Sequence, residues 1–245
     1  AGTVGHPSTQ ALTATNGTFS GNTTMAGTLG VTGASTLSSS LAMTSNDPTI
    51  TMTDSSGTND IVTLQSTSGA LIITARDGNA NGEIIFKGNT GSAVTEHMRI
   101  NNAGIVTKPL QPAFQVKPST NQNNIANNAQ VTLGTEVFDT NDDFASNTFN
   151  ATVTGKYQLN AALGLLQVDS AAAFIGIDLV TSNRHYYVIV DPDFGQDAEY
   201  WELTLAVIAD MDAGDTVTMN FLQSGGTTQA DVQNSHTNFS GYLLG

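Results

Sequence analysis

Carboxylates are the chain's main chemical resource, and they come in three groups separated by strand-like segments. Asp139, Asn141, Asp142 and Asp143 form the first; Asp191, Asp193, Asp197 and Glu199 the second; Asp210, Asp212 and Asp215 the third. A calcium ion takes about six to eight oxygens, which Asp and Asn on turns can supply. On that ground Asp191, Asp193 and Asp197 are the calcium candidate, and no other cofactor is expected. The plain alternative is that Asp and Asn sit here because their side chains cap turns. None of the groups has the spacing of a helix–loop–helix calcium loop.

Catalysis finds less support. Cleaving a polysaccharide takes two carboxyl groups facing each other across a groove, and no acidic pair stands out by its context. His6, His97, His185 and His236 are scattered, without metal-type spacing or a Ser/His/Asp order. The chain is not expected to be an enzyme.

Recognition fits better. Arg184, His185 and Tyr186 follow the polar turn Thr181-Ser182-Asn183, Asp193 and Phe194 follow the same strand, and Tyr200-Trp201 comes soon after. Aromatic rings beside turns can stack on sugar rings while Arg, His and Asp bond the hydroxyls. Arg184, His185, Tyr186, Asp193, Phe194 and Trp201 are therefore the candidate contact residues. For Tyr187 and Trp201 the favoured alternative is burial in a core or a subunit interface, where aromatics concentrate.

The elements that hold these residues must be strands. Only 11% of the 245 residues are charged, and Thr, Ser, Asn, Gly and Ala dominate. Long helix formers are few and no stretch keeps a 3.6-residue period, which predicts an all-β fold. Net charge is -14, concentrated from Ala113 onward, where 15 acidic residues face only Lys117, Lys156 and Arg184. Nucleic acid is excluded as a partner, because phosphate binding needs clustered Lys and Arg. No apolar run approaches membrane-spanning length, so insertion is not expected. Without cysteine, disulfides contribute nothing.

Organisation begins with a repeat. Phe19, Met25, Val31, Leu37 and Met43 recur every sixth residue, each followed two places on by Gly or Ser. One large side chain buried per hexad is worth about 1.5–3 kcal/mol, whereas ordering each backbone residue costs about 1–2 kcal/mol. A lone chain cannot meet that cost. Residues 1–46 therefore predict a shaft of several chains wound together, with these five residues on the common axis, and the natural chain is expected to extend upstream. Residues 47–112 read as short strands at roughly ten-residue spacing, an intertwined β prism or meander, ending in a linker stiffened by Pro109 and Pro112. Residues 113–245 hold longer alternating strands, about eight in number, that suit a jelly-roll sandwich.

Two resemblances rest on these residues. The hexads, followed by Glu96-His97-Met98-Arg99-Ile100 and Asn102-Ala103-Gly104-Ile105-Val106, resemble the shaft of bacteriophage tail fibres. From Ala113 the chain resembles the globular head of the complement and tumour-necrosis-factor superfamily. Ala113-Phe114-Gln115-Val116 matches its first strand, and Phe149 to Leu159, alternating through Ala151, Val153, Gly155 and Tyr157, its central hairpin. Leu205 through Asp215 and Val217 resembles the late strand pair, and Phe239 to Leu244 the last strand. Cysteines and a collagen-like stalk, both common in that family, are absent. Together the resemblances imply a homotrimeric fibre at the distal, extracellular end of a virion tail. Its expected partners are upstream tail proteins and a bacterial surface polysaccharide or outer-membrane receptor. A head that only trimerises and caps the shaft is the alternative implied.

Overall fold

A computed structural model describes residues 30–36, 41–57, 60–78, 80–89 and 91–244. Every regular element among them is a strand. Phe19, Met25 and Leu37 of the repeat lie outside the described residues. Val31 and Met43 lie inside and are exposed, and no strand forms in 30–36 or 41–47. The expected shaft strands are therefore not seen in the described repeat of one chain, as its lack of any buried apolar residue requires.

Two small antiparallel sheets come next. Strands β1 (Thr49–Asp54), β2 (Asp60–Thr67), β3 (Ala70–Asp77) and β4 (Ala80–Asn81) form a meander, and β5 (Ile84–Asn89), β6 (Val94–Ile100) and β7 (Val106–Thr107) a second. The β2–β3 turn is Ser68-Gly69, with φ of 48° and 80°. Positive φ at both central residues is what a tight hairpin's right-handed twist demands. In the β6–β7 turn, Asn101 Oδ1 accepts from Ala103 N at 3.0 Å and Ile105 N at 2.9 Å, and Gly104 takes φ 80°. Arg99 donates to both Glu96 and Glu83, tying β6 to the start of β5.

These sheets have no core of their own. Strand β1 is exposed along its whole length, and Leu71, Ile72 and Ile73 are consecutive exposed residues on β3, Leu71 at 73%. The linker, by contrast, is fastened to the C-terminal region. Leu243 N donates to Pro112 O at 3.0 Å, and Asn141 Nδ2 to Leu110 O at 3.1 Å.

From Ala113 two sheets face each other. One runs β15 (Ala198–Met211), β12 (Gly155–Val168), β18 (Asn238–Leu243), β8 (Ala113–Lys117), β9 (Thr135–Asp139), with β17 (Asp231–Val232) also on β12. The other runs β10 (Phe144–Ala145), β11 (Thr148–Asn150), β16 (Thr216–Ser224), β13 (Phe174–Thr181), β14 (His185–Val190). All pairings are antiparallel, and the chain repeatedly changes sheet between neighbours in sequence, which is a jelly roll. The strand order thus bears out the predicted sandwich.

Two expected strand pairs are corrected. Phe149 and Leu159 do not belong to one hairpin, because β11 pairs with β16 while β12 pairs with β15 and β18. Likewise β15 and β16 lie in opposite sheets. Ala151 is the shared corner, accepting from Gly214 N at 2.7 Å and donating to Asp215 O at 2.8 Å. Both connections cross from sheet to sheet there instead of folding back.

Alternation fills the interior. Tyr157, Leu159, Ala161, Leu163 and Leu165 on β12 face Ile175, Ile177 and Leu179 on β13 and Val217, Met219 and Phe221 on β16, all buried. Phe114 stacks on Phe149 at 4.4 Å between centroids and meets Phe239 edge-on at 5.0 Å. Fully burying such side chains is worth about 1.5–3 kcal/mol each. Gly241 makes room for this cluster: a Cβ there would lie 2.8 Å from both Leu159 Cδ2 and Phe114 Cε1.

Candidate functional site

The sandwich has two ends. The chain reaches it at Ala113, and Asp139, Val153, Asp212–Asp215 and Leu243 gather around that near end. Val168, Val190, Ala198 and Ser224 mark the far end. Strand β14 runs from near to far, and its ends stand roughly 17 Å apart at 3.3 Å per residue. The predicted contact residues therefore divide between the two ends instead of forming one patch.

At the near end the β13–β14 hairpin closes on Ser182-Asn183. Thr181 Oγ1 donates to Arg184 O at 2.8 Å and accepts from Arg184 N at 3.0 Å. Asn183 Nδ2 donates to Asp215 Oδ2 at 2.6 Å, fixing the turn to the β15–β16 loop. Arg184 is exposed on this turn. His185 Nδ1 pairs with Asp178 Oδ2 at 2.7 Å; the His185 side chain is 60% exposed and the Asp178 side chain 7%.

Strand alternation then reassigns the tyrosines. His185, Tyr187 and Ile189 face outward, whereas Tyr186, Val188 and Val190 pack against the core. Tyr186 is therefore partly buried, and Tyr187, expected in a core or interface, is 62% exposed in the single chain. A period of two cannot put neighbours on one face.

The far end holds the other candidates. Phe194 lies in the loop between β14 and β15, its N–H donating to Pro192 O at 2.6 Å, and Gly195 turns the loop with φ 76°. Its ring stacks on Trp201, with centroids 4.5 Å apart and planes at 28°. Trp201 Nε1 is buried without a hydrogen-bond partner among the described residues. Tyr200 beside it is 66% exposed. Residues Phe194 through Trp201 line an open depression of about 480 Å³, within the size range of small-ligand sites.

Carboxylates around the depression serve the loops. Asp197 accepts from Ser170 N and Ser170 Oγ, both at 3.0 Å, and from Gln229 Nε2 at 2.9 Å. The backbone bond from Ser170, aided by Gln229, holds its carboxyl below the usual Asp range. Asp169 is lowered in the same way by the backbone N–H groups of Thr227 and Ala171. Asp191 Oδ1 accepts from Asp193 N at 3.1 Å. The calcium candidate is thereby corrected: Asp191 and Asp197 are engaged in separate turns, and no group of three metal-ligating side chains assembles among the described residues.

The other two acidic groups are also turn caps. Asp139 Oδ2 accepts from Phe144 N at 2.8 Å, and Asp215 Oδ2 from Asp212 N at 2.8 Å. Asp143 differs, since burial pushes its carboxyl up despite a 3.3 Å bond from Thr152 Oγ1. Asp178 was missed by the sequence reading. Its signal was there: one carboxylate inside the apolar run Phe174 to Val180.

A further surface lies on the outward side of the β15–β12–β18–β8–β9 sheet. Register aligns Ile208, Gln158, Tyr242 and Ala113 in one row across it, and Ala206, Asn160, Ser240, Gln115 and Phe138 in the next. Neither row carries a charge, and Ile208, Tyr242 and Phe138 are exposed. The flanking rows of the same side do carry charge, Lys156 opposite Asp210 and, further along β15, Glu202.

No protein-family model matches the chain, and no curated protein matches it either. Solved structures do show likenesses. One is the globular domain of zebrafish complement 1qA protein, 19% identical over 55% of this chain and 98% of that one, with a TM-score of 0.43. Murine APRIL is 13% identical over 55% and 99%, with a TM-score of 0.42. Eiger TNF from S. frugiperda is 10% identical over 55% and 92%, with a TM-score of 0.44. At these levels the architecture of residues 113–245 rests on their own strand order.

Proposed function

We propose that the chain is the distal part of a homotrimeric bacteriophage tail fibre that adheres to a bacterial surface glycan through its C-terminal head. The observation that carries this reading is the exposure of apolar residues on strands β1 and β3, headed by Leu71, in sheets with no fully buried residue among the described ones. Such strands call for partner chains, and the hexad repeat upstream makes the same demand. The tail-fibre resemblance of residues 96–106 supplies the virion setting. Adhesion belongs to the far end, where Phe194, Trp201 and exposed Tyr200 border an open depression at the end most remote from the stalk. Three identical heads turn weak contacts into avidity gains of about 10²–10⁴.

A second reading makes the head only a trimerisation cap, and the two uncharged register rows with exposed Ile208, Tyr242 and Phe138 favour it. Removing residues 113–245 separates the two. Lost adhesion to a panel of bacterial strains with an intact trimeric shaft supports the adhesin; lost assembly supports the cap.

A further inference from the structure

The outward face of the β10–β11–β16–β13–β14 sheet carries a carboxylate that the fold leaves incompletely bonded. Asp178 stands between Ile177 and Leu179, and alternation turns it away from the core those two enter. It is nonetheless only 5% exposed. Oδ2 meets His185 Nδ1 at 2.7 Å, while Oδ1 is buried with no hydrogen-bond partner among the described residues. Buried polar atoms are bonded in the great majority of cases, so an orphan carboxylate oxygen marks a place where a donor belongs.

The surroundings define the donor. Register sets Tyr187 directly across on β14 and Asn220 directly across on β16. His185 and Ile189 stand on either side of Tyr187 on the same face, and a Cβ on Gly176 would lie 2.8 Å from Ile189 Cγ2, so Ile189 packs over that glycine. Strands β13, β14 and β16 hold no Lys or Arg. Arg184 stands on the turn just before β14, but an anion over Asp178 would still meet a carboxylate. A neutral, hydroxyl-rich ring suits all three features: an unfilled acceptor, an exposed aromatic face and an exposed imidazole edge.

We propose that this face binds a neutral hexose, with a ring hydroxyl donating to Asp178 Oδ1, the sugar's C–H face on the Tyr187 ring and a second hydroxyl at His185. The choice of a sugar rests on the reading of the chain as a glycan-binding fibre, and the site is a lateral one, separate from Phe194 and Trp201. Oδ1 is buried, so a hydroxyl reaches it only when a side chain beside it moves, and Tyr187, directly across on β14, is the one proposed to swing outward. A ring 62% exposed has the freedom to do so.

Ring NMR of the full chain, labelled at histidine and tyrosine, tests this during titration with the methyl glycosides of glucose, galactose and mannose. At least one glycoside is expected to shift the His185 and Tyr187 signals. Tyr187→Ala, a change at an exposed position, weakens that binding tenfold or more. Asp178→Asn keeps the side chain's size and puts an N–H where the orphan acceptor stood, and it weakens binding by a similar factor. Silence at both residues with all three glycosides overturns the proposal, as does an affinity unchanged in Tyr187→Ala. Adhesion to cells is scored separately. Adhesion without glycoside shifts removes the lateral site and keeps the fibre reading, whereas shifts without adhesion do the reverse.

Discussion

Phe194 and Trp201 stack with ring centroids 4.5 Å apart, joining the loop after β14 to the start of β15 at the end of the sandwich opposite to where the chain enters it at Ala113. The pair holds a loop that otherwise depends on short turn bonds, and it leaves Tyr200 standing free beside it. Tyr200→Ala removes an exposed ring and should change unfolding free energy by no more than about 0.5 kcal/mol. If the far end carries adhesion, the same variant lowers binding to susceptible cells about tenfold, since stacking of an aromatic ring is worth about 0.5–1.5 kcal/mol per contact and three heads compound the loss. Equal adhesion by Tyr200→Ala and the parent chain would move the receptor contact elsewhere.

Acid should loosen this end. Asp197 and Asp169 are both held below the ordinary Asp value of 3.8 by hydrogen bonds from loop N–H groups and, for Asp197, Gln229. A depressed folded pKa contributes stability above the unfolded value, and that contribution is lost as pH falls through the folded one. The window is therefore below about pH 3.8, with Asp143 acting in the opposite sense because burial raises it. Trp201, the chain's single tryptophan, reports the change through Phe194. Its emission should shift on acidification through that window, and Asp197→Asn should show part of the shift already at neutral pH. An emission spectrum unchanged in Asp197→Asn would show that Asp197 does not hold the loop.

Packing inside the sandwich offers a sharper stability test. A methyl group at Gly241 would press on Leu159 Cδ2 and Phe114 Cε1 at 2.8 Å. Overpacking of this kind costs typically about 1–3 kcal/mol. Gly241→Ala should lower the head's chemical-denaturation midpoint accordingly without altering its slope. A wild-type midpoint would mean that the Phe114–Phe149–Phe239 cluster yields more easily than its stacking implies.

Much of this was legible in the residues. Alternation along Tyr157 to Leu165 and Phe174 to Val180 marked two core strands, β12 and β13, and the change of texture at Ala113 marked where the sandwich begins. What sequence could not resolve was which strands pair. Phe149 and Tyr157 are eight residues apart and alternate in step, yet they sit in opposite sheets and meet as an edge-on pair at 5.5 Å. Hydrophobic pattern says which way a side chain points, and nothing about which sheet it points from. The contact residues divide between the two ends for a related reason. Proximity in sequence gathered Arg184, His185, Phe194 and Trp201 into one patch, whereas β14 separates the first two from the last two by its own length. The acidic groups misled because cation ligands and turn caps draw on the same side chains.

The two uncharged rows bear on assembly. Ile208 and Tyr242 lie in one register row on either side of Gln158, both exposed in the single chain. If copies of the chain meet there, Ile208→Asp sets like charges against one another at the interface and dissociates the head, while a monomer would tolerate it with little change in stability. Gel filtration of the variant beside the parent chain distinguishes these results.

Everything proposed for the stalk, the avidity and the far-end site depends on three chains associating. Multi-angle light scattering of the purified full chain measures that without any receptor. A chain of 25.4 kDa should elute at three times that mass and keep it on dilution. A particle of 25.4 kDa would contradict the account, because strand β3 would then keep Leu71, Ile72 and Ile73 in water with nothing to cover them.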